Sequence, residues 1–148
     1  MHKLPVSVLV VVHTRELEVL LLERAGRPGY WQSVTGSLDR LDEPLAAAAA
    51  REVGEETGLA AGAGALASWN AVNVFEIYRH WRHRFAPGVV HNTEHVFGLC
   101  LPARAPVRLA QAEHTAFAWL PWREAAERCF SWSNRDAIRM LGEGAVLI

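Results

Sequence analysis

Three glutamates, Glu52, Glu55 and Glu56, stand close together in Arg51-Glu52-Val53-Gly54-Glu55-Glu56-Thr57-Gly58-Leu59. An α-helix advances about 100° per residue, so the three carboxylates share one arc of about 100°. Like charges at that spacing repel and destabilise a helix slightly. The grouping becomes useful where a cation is held. Oxygen-only ligands favour a hard divalent ion, Mg²⁺ or Mn²⁺, of the kind that bridges substrate phosphates. Taken alone, the three residues also fit a plain acidic face on a solvated helix.

A second group, Arg79-His80-Trp81-Arg82-His83-Arg84-Phe85, precedes a turn at Pro87-Gly88. Guanidinium forks bind phosphate, and aromatic rings stack on planar heterocycles. Read as a strand, this segment places Arg82 and Arg84 on one face, where both reach a triphosphate. Trp31, a few residues before Gly36, offers a flat wall for a ring. The bland alternatives are an edge strand guarded by charge and a core tryptophan.

The elements that must position these groups are readable in outline. Asp42 or Glu43 suits the N-cap of the acidic helix, Pro44 its first turn, and Gly58 a left-handed C-cap. Leu45, Ala49 and Val53 recur at i, i+4 and i+8 and form its inward face. Val6–His13 is a continuous apolar run, as expected of a strand buried on both faces. Further strands are predicted at about Glu18–Glu23, Trp31–Thr35, Trp69–Tyr78, Glu94–Leu101 and Phe117–Leu120. In the Trp69–Tyr78 strand, Val72, Val74 and Glu76 face one way. Helices are predicted over Pro121–Arg128 and Asn134–Leu141, the second capped by Ser133 or Asn134. Strands interrupted by a few helices indicate an α+β fold.

The stretch from Gly36 through Glu43 to Arg51-Glu52-Val53, Glu55-Glu56, Gly58 and Leu59 resembles the Nudix box, G-x5-E-x7-R-E-U-x-E-E-x-G-U with U bulky and aliphatic. Six residues rather than five separate Gly36 from Glu43, read as one extra loop residue ahead of the helix. The resemblance implies an α/β/α sandwich around a mixed sheet, one domain over 1–148, and a metal-dependent phosphoanhydride hydrolase. It gives Glu52, Glu55 and Glu56 as metal ligands and Arg51 as the residue that orients a box glutamate by ion pairing.

Four further stretches are similar to bacterial members of that family that act on dihydroneopterin triphosphate in folate synthesis. They are Pro5–Val11, Trp31-Gln32-Ser33-Val34-Thr35-Gly36-Ser37, His83–Gly88 with Asn92-Thr93-Glu94, and Ser131-Trp132-Ser133-Asn134-Arg135. This likeness implies cleavage of that triphosphate to its monophosphate and pyrophosphate. A broader nucleoside triphosphate pyrophosphohydrolase and a catalytically silent binding module are the competing expectations. The same likeness offers Glu113, just ahead of the last strand, as base or outer metal ligand, with His114 as the competitor. Glu113 and Glu55 are therefore the expected catalytic carboxylates beside Arg51, and Trp31, Arg82 and Arg84 the expected substrate contacts.

Composition excludes other classes. The 148 residues are 51% apolar, enough for one well-filled domain. A formal charge of −1 speaks against nucleic-acid binding through a broad basic surface. Cys100 and Cys129 form neither a disulfide framework nor a zinc spacing. Val6–Val12 is too short and too quickly followed by His13, Arg15 and Glu16 for an export signal, and no stretch reaches the about 18 apolar residues of a membrane span. The expectation is a cytoplasmic enzyme with a small-molecule triphosphate substrate and no membrane or nucleic-acid partner.

Overall fold

Val6–Thr14 forms β1, the central strand of the sheet in the computed structural model, which describes residues 1–146 and 148. The remaining strands are β2 (Glu18–Arg24), β3 (Trp31–Gln32), β4 (Val34–Ser37), β5 (Ala67–Glu76), β6 (His91–Leu101) and β7 (His114–Pro121). Helix α1 (Leu45–Thr57) lies between β4 and β5, and α2 (Trp122–Arg128) and α3 (Trp132–Gly142) close the chain. All seven strands join one sheet in the order β3-β2-β1-β6-β5, with β4 on β1 and β7 on β2. β1 and β6 are parallel and the other pairs antiparallel, so the sheet is mixed.

The continuous apolar run in β1 serves two cores. Val8, Val10 and Val12 face Ala48, Ala49 and Val53 of α1, with Leu20 and Leu22 of β2. Leu9 and Val11 face Ala125 and Ala126 of α2 and Ala137, Ile138 and Leu141 of α3. Each fully buried aliphatic side chain contributes about 1.5–3 kcal/mol, and the two-sided packing gives the expected α/β/α sandwich. Among the described residues, no helix is long and apolar enough to cross a membrane.

β1 and β2 part beyond His13↔Val19, and the Trp31–Ser37 segment fills the gap between them. Its first half, β3, pairs with β2, and its second half, β4, pairs with β1. The switch occurs at Ser33, whose N–H donates to Asn134 Oδ1 of α3 at 2.8 Å instead of to a strand. One strand was expected here. The break opens the sheet and leaves Gln32, Thr35 and Gly36 facing a cavity.

Three other expectations are corrected. Neither Asp42 nor Glu43 caps α1: the N-cap is Pro44, and the Glu43 carboxylate is instead occupied by Arg51. α3 starts at Trp132 with Ser131 as N-cap, earlier than predicted. Arg79–Arg84 is a 3₁₀ helix rather than a strand, with Trp81 N–H on Tyr78 O at 2.9 Å and Phe85 N–H on Arg82 O at 3.0 Å. Tyr78 and Trp81 hold that turn by packing edge-on to each other and against Phe130. β5 accordingly ends at Glu76, while Val72, Val74 and Glu76 share an exposed face as expected. Gly58 caps α1 at φ 74°, a left-handed conformation that glycine adopts without steric cost.

Candidate active site

Glu52 and Glu56 lie one turn apart on α1 and are both buried, whereas Glu55 between them is exposed. Gly36 of β4 is the residue that makes room for this face. A Cβ at Gly36 would collide with the Glu52 carboxyl, so any larger residue displaces it. Arg51 ties the surrounding loop to the helix. Its Nε reaches Glu43 Oε2 at 3.0 Å and its Nη2 reaches Glu43 Oε1 at 3.1 Å, a two-pronged fork. The same guanidinium donates to Glu52 Oε1 at 2.8 Å, to Ser37 O at 3.1 Å and to Glu55 Oε2 at 3.5 Å. The extra loop residue therefore leaves Glu43 in register with Arg51.

Glu56 is the most confined carboxylate of the group. Burial pushes its pKa well above the usual carboxylate range, and the neighbouring Glu52 and Glu113 push it further. A hydrogen bond from the Thr35 backbone opposes this. Glu56 Oε1 has no hydrogen-bond partner, and His114 Nε2 stands 3.9 Å away. Glu56, Glu113 and His114 each place one donor atom within 4.8 Å of the others. An unpartnered buried carboxylate oxygen beside further carboxylates fits a hard divalent cation. His114 is buried, which together with Arg24 pushes its pKa down to about 4 and keeps the imidazole neutral at pH 7.

Cations line the cavity as well. Lys3, Arg24 and Arg84 border the same cavity of about 870 Å³ as Glu52, Glu55, Glu56 and Glu113. The pKa of Lys3 is lowered by burial, then by Arg84 and Arg24, and that of Arg24 by burial, then by Arg84. Three mutually repelling cations in the same cavity as a carboxylate cluster give it the charges to take a polyanion together with a cation. Flat surfaces are present too. Trp81, Phe130, Phe75 and Trp132 line the cavity, and the Arg24 guanidinium lies 4.4 Å above the Trp81 ring.

The structure brings Glu52, Glu55, Glu56, Glu113, Arg51 and Arg84 to one cavity, but not Trp31 or Arg82. Trp31 packs into the α2/α3 core, with Arg128 over its ring at 5.7 Å, because the Ser33 break turns β3 toward that side. Arg82 curls back in the 3₁₀ turn, its Nε on Ile77 O at 2.9 Å and its Nη2 on Glu76 Oε1 at 2.5 Å. Lys3, Arg24 and Glu94 line the cavity without having been singled out for it. Of these only Glu94 had a readable signal, its place in the Asn92-Thr93-Glu94 stretch that shares in the family likeness.

The NUDIX domain model matches residues 3–141. The chain is 44% identical over 140 residues to the dihydroneopterin triphosphate diphosphatase of Escherichia coli (strain K12), covering 93% of this chain and 91% of that protein. It is 38% identical over 136 residues to the protein of the same name from Haemophilus influenzae, covering 90% of this chain and 84% of the other. The solved structure of the E. coli dihydroneopterin triphosphate pyrophosphohydrolase superposes with a TM-score of 0.89 at 41% identity, covering 97% of this chain and 99% of that one.

Proposed function

The chain belongs to the NUDIX domain family, and on that footing we propose that it hydrolyses dihydroneopterin triphosphate to dihydroneopterin monophosphate and pyrophosphate. The relatives named above carry that activity in their names at 44% and 38% identity. The observation that carries the reading is the meeting of two sets of charges in one cavity, the carboxylates of α1 with Lys3, Arg24 and Arg84. A triphosphate fits between them, and the aromatic rings beyond accept a planar heterocycle.

Glu52, Glu55, Glu56 and Glu113 would hold Mg²⁺, with Mn²⁺ as substitute. Such an ion, when bound, supplies positive charge to the phosphate oxygens and makes the attacking water more acidic. Arg51 acts by position: its fork to Glu43 and its bond to Glu52 fix the carboxylate that Gly36 accommodates. Arg24 and Arg84 bind and orient the phosphates, lowering the repulsion met by an incoming oxygen. Glu113, exposed at the cavity edge, accepts the proton of the attacking water. His114 stays neutral and spaces Gln32 from Glu56, with its Nε2 3.5 Å from Gln32 Nε2. Arg82 and Trp31 support the neighbouring turn and core.

A pyrophosphate-release assay with Mg²⁺ that compares dihydroneopterin triphosphate with the common deoxynucleoside triphosphates tests the reading. A kcat/KM for the pterin at least tenfold above that for dATP is expected. Equal efficiency on both replaces the proposal with a broad nucleoside triphosphate pyrophosphohydrolase.

A further inference from the structure

At the end of the cavity away from α1, the floor is made by β1 and β6 rather than by the metal-binding face. Ser7 and Glu94 sit side by side in the parallel β1/β6 register, and Asn92 Nδ2 donates to Ser7 Oγ at 2.8 Å. All three side chains line the cavity and all three are buried, Glu94 to 3% exposure. No ion pair to Glu94 exists among the described residues, and its Oε1 has no hydrogen-bond partner at all. Ser133 and Asn73 offer it only neutral donors. A carboxyl left this way in an apolar sheet is costly unless something completes it.

The missing partner is defined by chemistry. An ionised carboxylate is an acceptor with two parallel oxygens, and it pairs best with two parallel N–H donors. A 2-amino-4-oxo pterin presents such a pair, the ring N–H and the adjacent amino group on one edge. Phe75 and Trp132, edge-on to each other at 6.5 Å, border the same part of the cavity and suit the faces of a flat ring. Adenine presents an acceptor nitrogen beside its amino group and meets the carboxylate with a repulsive pair of acceptors.

We propose that Glu94 is the residue that selects the heterocycle, its carboxylate accepting the paired N–H donors of the 2-amino-4-oxo edge while the phosphates lie toward α1. This rests on the pterin-triphosphate reading above and adds the group that distinguishes ring types. Glu94 touches no reacting phosphorus, so its contribution belongs to binding of the ring and appears mainly in KM.

The test uses the full chain and Glu94→Gln, which keeps shape but offers only one acceptor. Three readouts apply: kcat/KM for dihydroneopterin triphosphate, kcat/KM for dATP, and the affinity for neopterin, followed by its own fluorescence in EDTA. Replacing a charged acceptor by an amide is expected to lower kcat/KM for the pterin about 100-fold, mostly through KM, and to weaken neopterin to a similar degree. For dATP the variant holds or gains, because the amide can pair with both positions of the adenine edge. Circular dichroism melting checks that the variant is folded. If it is not, Glu94→Asp, a shorter carboxylate, replaces it and is expected to keep the preference for pterin over dATP with a smaller loss. A folded Glu94→Gln protein with wild-type kcat/KM for the pterin, or equal losses on both substrates, overturns the assignment. A wild-type protein that fails to cleave the pterin triphosphate yet binds neopterin through Glu94 sinks the proposed reaction and supports the recognition.

Discussion

Arg51 and Glu43 are joined by two bonds, Nε to Oε2 at 3.0 Å and Nη2 to Oε1 at 3.1 Å, across the start of α1. The pair fastens the loop after Gly36 to the helix that carries Glu52 and Glu56. Arg51→Lys keeps the charge and loses the fork. The variant is expected to lower kcat about 10- to 100-fold with KM changed less than threefold, since a displaced Glu52 acts in the transition state. Mn²⁺ affinity by calorimetry should weaken in parallel. Unaltered kinetics together with unaltered Mn²⁺ binding would leave Arg51 an ordinary helix cation.

Glu56→Gln removes charge and keeps shape. Its turnover is expected to fall by at least about 1,000-fold, the scale of losing an essential electrostatic group. Stability should respond in the opposite sense. The pKa of Glu56 is raised in the fold, as are those of Glu52 and Glu94, so the native state releases these protons later than the unfolded chain. Stability is then lost as pH rises from the ordinary carboxylate range toward the raised values. The lowered pKa values of His13 and His114 work the other way, but only below their ordinary value of about 6.5. In EDTA, the Tm of Glu56→Gln should therefore gain on that of the wild type as pH rises above the ordinary carboxylate range, the other groups being common to both. Parallel curves from differential scanning calorimetry would contradict this account of Glu56.

Glu113→Ala and His114→Asn separate the two neighbours. If Glu113 takes the proton from water, its loss lowers kcat about 100-fold or more and changes KM little. His114, already neutral, gives a loss below about tenfold when replaced by Asn. The reverse ranking, read from initial rates at saturating substrate, assigns proton transfer to the imidazole.

Arg84 and Arg82 are expected to behave differently despite their proximity in the chain. Arg84→Ala should raise KM for dihydroneopterin triphosphate about tenfold, a loss of about 1.4 kcal/mol. Added salt should narrow the difference, because an exposed cation is screened. Arg82→Ala should leave KM within about twofold, since its guanidinium is committed to Ile77 O and Glu76. Equal KM effects would return Arg82 to the substrate.

What could be read in advance followed from how far along the chain each interaction reaches. The carboxylates of α1 and the inward face at Ala49 and Val53 depend on helical periodicity, which is local. β1 was visible because an uninterrupted apolar run can be buried on both sides. Arg79–Arg84 was misread as a strand because Tyr78 and Trp81 are held by Phe130, a residue far away in sequence. Trp31 was misplaced for a related reason: the break at Ser33 depends on Asn134. Lys3 and Arg24 carry no local mark. They join Arg84 only once the Lys3 N–H has bonded to Arg84 O at 2.8 Å and β2 has found its neighbours.

The parallel pairing of β1 with β6 runs from Val6↔Thr93 to Thr14↔Leu101. As the chain leaves the ribosome, β1, β2 and α1 all emerge before the strand that must lie beside β1. Such a pairing closes a long loop before its contacts repay the lost chain entropy, so it belongs to the slow part of folding. Until then the glutamates of α1 remain hydrated and the apolar edge of β1 is open to other chains. When β6 docks, it covers that edge and brings Glu94 beside Ser7 in the same step, so neither end of the cavity can mature without the other.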